Sequence, residues 1–223
     1  MRFFNPVLYI CGILVLIMAA FMLAPAIFAF IYGDPELDTF VHSLLITALV
    51  GLTLVYSFRV SQIALNARQL YLLTSCAWLA MSLAGALPFM ISHHPMSVAN
   101  STFEAVSGIT TTGATVMSKL SAVPKSILLW RSLLQWLGGL GVIGMAVTIL
   151  PFLRIGGMKL FQTESSDWSE KSMPRFQQFT TTIMEIYILL TMLCSLSYWS
   201  AGMTPFDAVN HAMTTVSTGG YAT

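Results

Sequence analysis

Two short segments of this 223-residue chain place serine, threonine and glycine in an order that suits cation coordination by backbone oxygens. The first lies at 111–115 (TTGAT) and the second at 217–221 (STGGY). Glycine adopts positive φ without a Cβ clash, so successive carbonyl groups can point toward one axis. A ring of such neutral oxygens replaces the hydration shell of a permeating cation and still lets it leave. The candidate ion-binding residues are Thr111, Thr112, Gly113, Ala114, Ser217, Thr218, Gly219 and Gly220, with the carbonyls of Thr111, Thr112, Thr218 and Gly219 as cation ligands.

Each of these segments follows a stretch with a helix N-terminal signature. Ser101 and Glu104 have the spacing of a capping box. Thr204, Pro205 and Asp207 supply an N-cap, a proline at the first helical position and a carboxylate in the first turn. Glu104 and Asp207 therefore either cap two short helices or attract cations at an outer vestibule. The C-terminal end of each helix would direct the negative end of its dipole at the cation.

The rest of the chain has the composition of a membrane protein. It is 56% hydrophobic and only 9% charged, which is too little charge to cover the surface of a soluble domain. Uncharged stretches of about 20 residues are long enough to cross a bilayer as helices. We predict five spanning helices, the first of them kinked at Pro25. They cover 6–32, 39–58, 70–92, 124–153 and 177–200.

Charge and cysteine usage exclude several other classes of protein. A net charge of +1 provides no basic field for nucleic acid. Cys11, Cys76 and Cys194 each lie in an apolar segment, without the spacing of a metal, redox or disulfide site. No nucleophile and base share a recognisable arrangement, and no nucleotide-binding glycine motif occurs. We therefore expect neither an enzyme nor a cofactor.

The basic residues set the expected orientation. Under alternating topology, seven fall on one side of the membrane and three fall on or near the other. The richer side faces the cytoplasm, which places the N-terminus inside. This count works only if the segments at 101–115 and 204–221 enter the membrane and return on the same side. The seven are Arg2, Arg59, Arg68, Arg154, Lys159, Lys171 and Arg175, and the three are Lys119, Lys125 and Arg131.

The two short segments also form an internal repeat. Both begin with a hydroxyl residue followed by x-Phe-acid-Ala-Val, and both end in a Thr-Gly pair, which matches Gly113 with Gly219. We predict an all-α integral membrane protein of repeated helix, re-entrant pore helix, filter loop and helix units, as in potassium channels. Two ordinary tight turns are the alternative. The predicted parts are a leading helix pair (1–69), a first repeat (70–153), a cytoplasmic connector (154–176) and an incomplete second repeat (177–223).

The fourth predicted helix carries polar residues that bear on the loops. Arg131 lies about two turns below its start, where a charge is usually paired or faces water. We expect Arg131 either to pair with Glu104 or Asp207, pinning a pore helix to the wall, or to extend to the outer interface. Gln135 is a candidate to face the pore. Close helix packing, with a hinge as the alternative, is expected at Gly138, Gly139, Gly141 and Gly144.

Three runs resemble the TrkH/KtrB/HKT superfamily of potassium transporters, most closely its bacterial TrkH branch. They are 103–115 (FEAVSGITTTGAT), 128–144 (LLWRSLLQWLGGLGVIG) and 211–223 (HAMTTVSTGGYAT). In that superfamily, four such repeats in one polypeptide surround a single pore. The resemblance implies that Gly113 and Gly219 are filter glycines. It also implies a preference for potassium, because serine at the position of Gly113 is associated with sodium preference in plant relatives.

The resemblance further implies potassium uptake across the bacterial cytoplasmic membrane, with lipid around the helices. Full members carry two further repeats, so we expect the chain to be the N-terminal half of a pore subunit. A non-conducting assembly module or fragment is the alternative. The implied partners are a second copy of the full-length protein, in a dimer, and a cytoplasmic nucleotide-binding regulatory subunit of the TrkA type, docked on 154–176. Potassium is the transported species.

Overall fold

The computed structural model describes residues 3–60, 65–149 and 168–223, and these ranges contain helices and loops without a β-strand. A 3-10 turn covers Leu120–Ala122. The helices are α1 (Asn5–Phe21), α2 (Leu23–Tyr32), α3 (Leu37–Ser57), α4 (Ala67–Ile91), α5 (Val98–Ile109), α6 (Lys125–Ile149), α7 (Trp168–Ser200) and α8 (Pro205–Val216).

Five helical stretches in the described ranges are long and apolar enough to cross a membrane, and they correspond to the five predicted spans. Their outer surfaces are apolar, since Phe30 and Leu49 are 74% and 68% exposed. Only 6% of the apolar window of α7 is buried. A continuous apolar surface of this kind is stable in lipid, not in water. The chain is therefore an all-α, multi-pass membrane protein, as predicted.

The first span is interrupted where the sequence predicted a kink. The break between α1 and α2 falls at Met22, three residues before Pro25. Proline lacks an amide hydrogen, and its ring crowds the carbonyl four residues earlier, at Phe21. The amide of Met22 still bonds to the carbonyls of Met18 and Ala19 (3.1 Å each), so the helical path continues through the break.

The start of α7 differs from the prediction. The sequence placed this helix at 177–200 and assigned 154–176 to a connector, whereas the helix begins at Trp168. Hydrophobicity marks only the part of a helix that lies in lipid, and a helix can continue beyond that part into water. The rest of the predicted connector, 154–167, lies outside the described residues, as does Arg2.

Carboxylates in the turn between α2 and α3 tie together one end of the bundle. Asp34 accepts a hydrogen bond from the amide of Ser126 (3.2 Å), in the first turn of α6. Glu36 is buried and accepts one from the amide of His93 (3.1 Å), just after α4. Therefore α4 ends, and α6 begins, at the same end of the bundle. The chain between them, which contains α5, leaves this end and returns to it.

The start of α8 lies at the same end. The ring of Phe206 packs against Phe28 of α2, with centroids 5.3 Å apart, and Lys125 Nζ lies 5.5 Å from the Phe206 centroid. The chain after α8 returns toward the start of that helix, because the hydroxyl of Thr223 donates to Asp207 (2.7 Å). Both short helices thus begin at one end of the bundle and are followed by chain that runs back along them.

The inner face of α5 is enclosed by α4 and α6. Ala105 and Ile109 are fully buried in the same apolar cluster as Trp130 of α6. Trp130 is itself fixed, since its Nε1 donates to the carbonyl of Gly85 in α4 (2.9 Å) and its ring meets Phe40 edge-on. This packing holds the C-terminal end of α5, where the first loop begins.

Asp34→Ala is expected to lower the free energy of unfolding by about 1 kcal/mol, the usual cost of losing a helix cap. The substitution removes the acceptor for the amide of Ser126 and for the amide of Glu36 (3.0 Å). Asp38→Ala is the matched control, because the exposed Asp38 carboxylate accepts no hydrogen bond from the described residues. The free energy of unfolding of both variants is measured in detergent, with denaturant or heat as the unfolding agent. Equal losses would contradict the capping role.

Candidate ion-coordinating loops

The two short helices form matched units. α5 and α8 each contain 12 residues, and their N-caps, Ser97 and Thr204, lie 107 positions apart. After α5, the amide of Thr112 donates to the carbonyl of Ser107 (2.9 Å). After α8, Gly219 and Thr214 make the equivalent hydrogen bond (2.8 Å), again 107 positions further on. Each helix therefore ends in the same way.

The loops that follow share one backbone conformation. φ is +57° at Thr111 and +58° at Thr218, and it is +78° at Gly113 and +77° at Gly220. Positive φ is unfavourable for a residue with a Cβ, so its occurrence at matched positions indicates one turn built twice. The register pairs Thr111 with Thr218, Thr112 with Gly219 and Gly113 with Gly220.

This register corrects the repeat inferred from the sequence. That alignment matched Gly113 with Gly219, but the counterpart of Gly113 is Gly220. It also matched Phe103 with Phe206, although Phe103 is the sixth residue of α5 and Phe206 is the second of α8. The shared letters occupy different places on the two helices. The two units have equal length.

The cap of α5 also differs from the prediction. The N-cap is Ser97, whose side chain accepts from the amide of Asn100 (3.2 Å). Ser101, predicted as the cap of a capping box with Glu104, lies inside the helix and donates to the carbonyl of Met96 (3.3 Å). A capping box carries Glu or Gln at the third helical position. Asn100 occupies that position here, so the sequence around Ser97 does not match the capping-box pattern.

The predicted start of α8 is correct. Thr204 is the N-cap, its hydroxyl oxygen accepts from the amide of Asp207 (3.2 Å), and Pro205 occupies the first helical position. The hydroxyl of Thr204 also donates to the Asp207 carboxylate (2.6 Å), as does that of Thr223 (2.7 Å). These hydrogen bonds, first that from Thr204, hold the pKa of Asp207 below its usual range.

Arg131 pairs with Glu104, one of the two partners that the sequence suggested. Its Nε lies 2.8 Å from Glu104 Oε1, and the two side chains are 1% and 0% exposed. The hydroxyl of Thr115 donates to Glu104 (2.9 Å) and accepts from Arg131 (3.1 Å). The amide of Val116 also donates to Glu104 (3.1 Å). The buried pair therefore ties α5 to α6 and to the returning first loop.

The same arginine reaches the second loop. Arg131 Nη1 donates to the carbonyl of Ala222 (3.3 Å), and the guanidinium carbon lies 4.1 Å from the centroid of the Tyr221 ring. The Tyr221 hydroxyl is within hydrogen-bonding distance of the carbonyls of Glu104 (3.0 Å) and Ala114 (3.2 Å). Arg131 and Tyr221 thus connect the two loops directly.

One candidate ion-binding residue, Ala114, has its carbonyl occupied by the protein itself. The carbonyl of Ala114 lies within hydrogen-bonding distance of the hydroxyls of Ser107 (2.5 Å) and Tyr221 (3.2 Å), so it faces packed protein and is not available to an ion. Ser217 is the buried C-cap of α8. Within the described ranges, the carbonyls of the repeated turn accept no hydrogen bond: those of Thr111, Thr112, Gly113, Thr218, Gly219 and Gly220.

Two adjacent glycines of α6 let both short helices approach it. A Cβ on Gly138 would collide with the carbonyl of Ile109, the last residue of α5. A Cβ on Gly139 would lie 3.0 Å from the Cβ of Ser217. Small residues at these positions favour close packing of backbones, the role that the sequence suggested ahead of a hinge.

The two loops lie side by side. A Cβ added to Gly113 would collide with the carbonyl oxygen of Gly219. Behind Gly219 lies Gln135 of α6, which is fully buried and accepts from the amide of Tyr221 (3.1 Å). Gln135, a candidate to face the pore in the sequence, therefore packs behind the second loop instead. Gln135 and the second loop are far apart in the sequence, so sequence patterns could not predict this contact.

Comparison with known proteins points in one direction. The family model described as TrkH, cation transport protein, matches residues 36–223. The Trk system potassium uptake protein TrkI of Halomonas elongata is 39% identical over 223 residues, which cover 100% of this chain and 45% of that protein. The Trk system potassium uptake protein TrkH of Escherichia coli K12 is 37% identical, covering 99% of this chain and 46% of that protein.

A solved structure has the same fold. The crystal structure of the potassium transporter TrkH from Vibrio parahaemolyticus matches with a TM-score of 0.87 and 37% sequence identity. The match covers 98% of this chain and 44% of that one. The chain spans about half the length of the curated relatives it matches.

Gly113→Ala is expected to destabilise the protein more than Gly220→Ala. Both glycines have positive φ, so an alanine costs about 1 kcal/mol of backbone strain at either position. At Gly113 the new Cβ also meets a backbone oxygen, that of Gly219, whereas at Gly220 no atom of the described residues lies within 4 Å. Thermal unfolding in detergent measures the difference. Equal destabilisation would mean that the loops are not in contact.

Glu104→Gln is expected to cost about 3 kcal/mol of stability, because it leaves a buried guanidinium without its counter-charge. The double variant Glu104→Gln/Arg131→Gln removes both charges and is expected to lose less than Glu104→Gln alone. Denaturant unfolding of the wild type, Glu104→Gln, Arg131→Gln and the double variant tests this order. A double variant as unstable as the sum of its single variants would show that the pair is not coupled.

Proposed function

This chain belongs to the TrkH family of cation transport proteins, and we propose that its two adjacent loops line part of a potassium-selective path through the membrane. The observation that carries the proposal is the repeated turn at Thr111–Gly113 and Thr218–Gly220, whose six carbonyl oxygens are free of hydrogen bonds to the described residues. Unpaired backbone at membrane depth is tolerated where it lines a water-filled path. The names of the relatives, potassium uptake proteins, support potassium as the ion.

In this proposal, backbone oxygens replace the water around the ion. The carbonyls of Thr111 and Thr112 act together with those of their register partners, Thr218 and Gly219. Neutral oxygens bind a monovalent cation without holding it as tightly as a carboxylate would, so the ion can move on. The C-terminal ends of α5 and α8 lead into these loops and add a negative potential. Ion movement requires no covalent chemistry.

We also infer that α5 and α8 are re-entrant pore helices, which enter the membrane from the outside and do not cross it. The support is that each begins, and is followed by chain that returns, at the end of the bundle marked by Asp34 and Glu36. Arg59 follows α3 and Arg68 lies in the first turn of α4, both at the opposite end. That end would face the cytoplasm of a bacterial cell, together with the N-terminus.

Two loops supply two sides of a ring, and the chain spans about half the length of its curated relatives. We propose that the rest of the ring comes from repeats of the same kind. The family resemblance further favours a dimeric complete protein and a cytoplasmic nucleotide-binding subunit of the TrkA type. That subunit would dock on 154–176, most of which lies outside the described residues.

Uptake of ⁸⁶Rb⁺ into liposomes tests the proposal. The natural gene product that contains this chain is expected to take up ⁸⁶Rb⁺ when the inside is held negative, and Gly113→Asp is expected to abolish uptake by placing a carboxylate between the loops. Gly33→Asp is the matched control, because Gly33 also has positive φ, with open space around it.

Two results would contradict the proposal. Absence of ⁸⁶Rb⁺ uptake by a folded, complete protein would reject the conducting function and favour a non-conducting assembly module. Uptake by the 223-residue chain alone, lost in Gly113→Asp, would retain the filter but reject the claim that further repeats complete it.

A further inference from the structure

Gly219 differs from its register partner in a way that the backbone does not explain. The partner, Thr112, carries a side chain, and Gly219 is not among the glycines with positive φ. A Cβ at Gly219 would instead fall within 2.6 Å of the carboxamide nitrogen of Gln135 and closer still to its carbon and oxygen. The second loop therefore has a glycine at position 219 because Gln135 of α6 fills the space that a side chain would need.

Hydrogen bonding fixes the orientation of the Gln135 carboxamide. The amide of Tyr221 is a donor, so the atom that faces it at 3.1 Å must be the oxygen. The nitrogen then lies on the other side, 3.8 Å from the position of a Cβ on Gly113 in the first loop. This nitrogen is buried and has no acceptor in the described part of the chain. A buried polar group without a partner is uncommon and calls for a physical reason.

These contacts put one carboxamide behind the place where the loops meet. The carbonyl of Gly219 lies against Gly113 on one side, and Gln135 packs against Gly219 on the other. A shorter side chain would let the second loop move toward α6, and loss of the hydrogen bond to Tyr221 would let it move away from α6. The distance between the two sets of carbonyl oxygens would then change. The fit and field of those oxygens determine which cation replaces its water most readily.

We propose that Gln135 is a positioning residue for ion selectivity, which sets the spacing between the two filter loops by holding Gly219 and Tyr221 from behind. This inference rests on the proposed potassium path. Gln135 does not touch the ion. It acts through the second loop. Its substitution is therefore expected to change the discrimination between cations more than it changes the maximal rate.

Gln135→Met in the natural gene product is the first test, because methionine keeps the length of the side chain and removes the hydrogen bond. In competition between ⁸⁶Rb⁺ and Na⁺, the preference for ⁸⁶Rb⁺ is expected to fall about tenfold, as expected for the loss of one buried hydrogen bond. The KM for ⁸⁶Rb⁺ should rise more than the maximal rate falls. Ser132→Ala is the control, since Ser132 is buried on the same helix and its hydroxyl bonds, among the described residues, only to the carbonyl of Leu128 (3.2 Å).

Hydrogen exchange at the amide of Tyr221 gives a readout that does not need transport. Gln135→Met should expose this amide to faster exchange, whereas Gln135→Glu keeps an acceptor oxygen and should preserve its protection. If the wild-type protein carried no ⁸⁶Rb⁺, the potassium proposal would fail. The exchange data would still test whether Gln135 holds the second loop. Wild-type selectivity together with wild-type exchange in Gln135→Met would overturn the inference.

A steric exchange covers the case in which Gln135→Met does not fold. Gly219→Ala alone is expected to impair folding and uptake, because its methyl group meets the carboxamide. Gly219→Ala combined with Gln135→Ala supplies the missing space and should recover part of both. If the double variant were no better than Gly219→Ala, Gln135 would not be the group that holds the second loop.

Discussion

The structure depends on the close approach of one face of α6 to both loops. Arg131, Gln135, Gly138 and Gly139 follow the spacing i, i+4, i+7 and i+8, which places them on one side of a helix. The first two reach the loops with side chains, and the two glycines admit the ends of α5 and α8. A helix of the first repeat therefore supports the loop of the second. Neither loop has this position without α6.

The ion pair of Arg131 and Glu104 distinguishes the first repeat from the second. Two charges removed from water are costly unless their hydrogen-bonding capacity is used, and here Thr115, Val116 and Ala222 use it. The second repeat has no copy of the acid, because the register partner of Glu104 is His211. That histidine lies 3.3 Å from the hydroxyl of Thr223, which also donates to Asp207. The repeats share a backbone and differ in the chemistry that holds it.

The sequence predicted the helices and the two loops because those signals are local. Apolar stretches of sufficient length, the Thr204-Pro205 start of α8 and paired Thr-Gly segments can each be recognised within a few residues. The register between the repeats was not local. The similar residues around Phe103 and Phe206 favoured Gly219 as the register partner of Gly113. The hydrogen bonds at the ends of the two helices establish Gly220 as that partner instead.

Contacts between segments far apart in the chain could not be derived from spacing either. Gln135 and Gly219 are separated by a whole helical repeat, and no periodicity of either segment brings a carboxamide against a glycine. The sequence did indicate that Arg131 needs a partner, because a charge within a membrane helix is rarely left alone. It offered Glu104 and Asp207 equally. Asp207 is engaged by Thr204 and Thr223 near the start of α8, and Glu104, one turn deeper in α5, is the acid at the level of Arg131.

The second loop shows how a backbone can be held firmly and still present open oxygens. From Ser217 to Ala222, buried and exposed residues alternate along the loop. The buried positions, Gly219 and Tyr221 among them, contact α6 and the first repeat. Among the exposed positions, Thr218 and Gly220 have carbonyls that accept no hydrogen bond from the described residues. In the ion path that we propose, the position of these oxygens depends on the residues packed behind the loop, Gln135 among them.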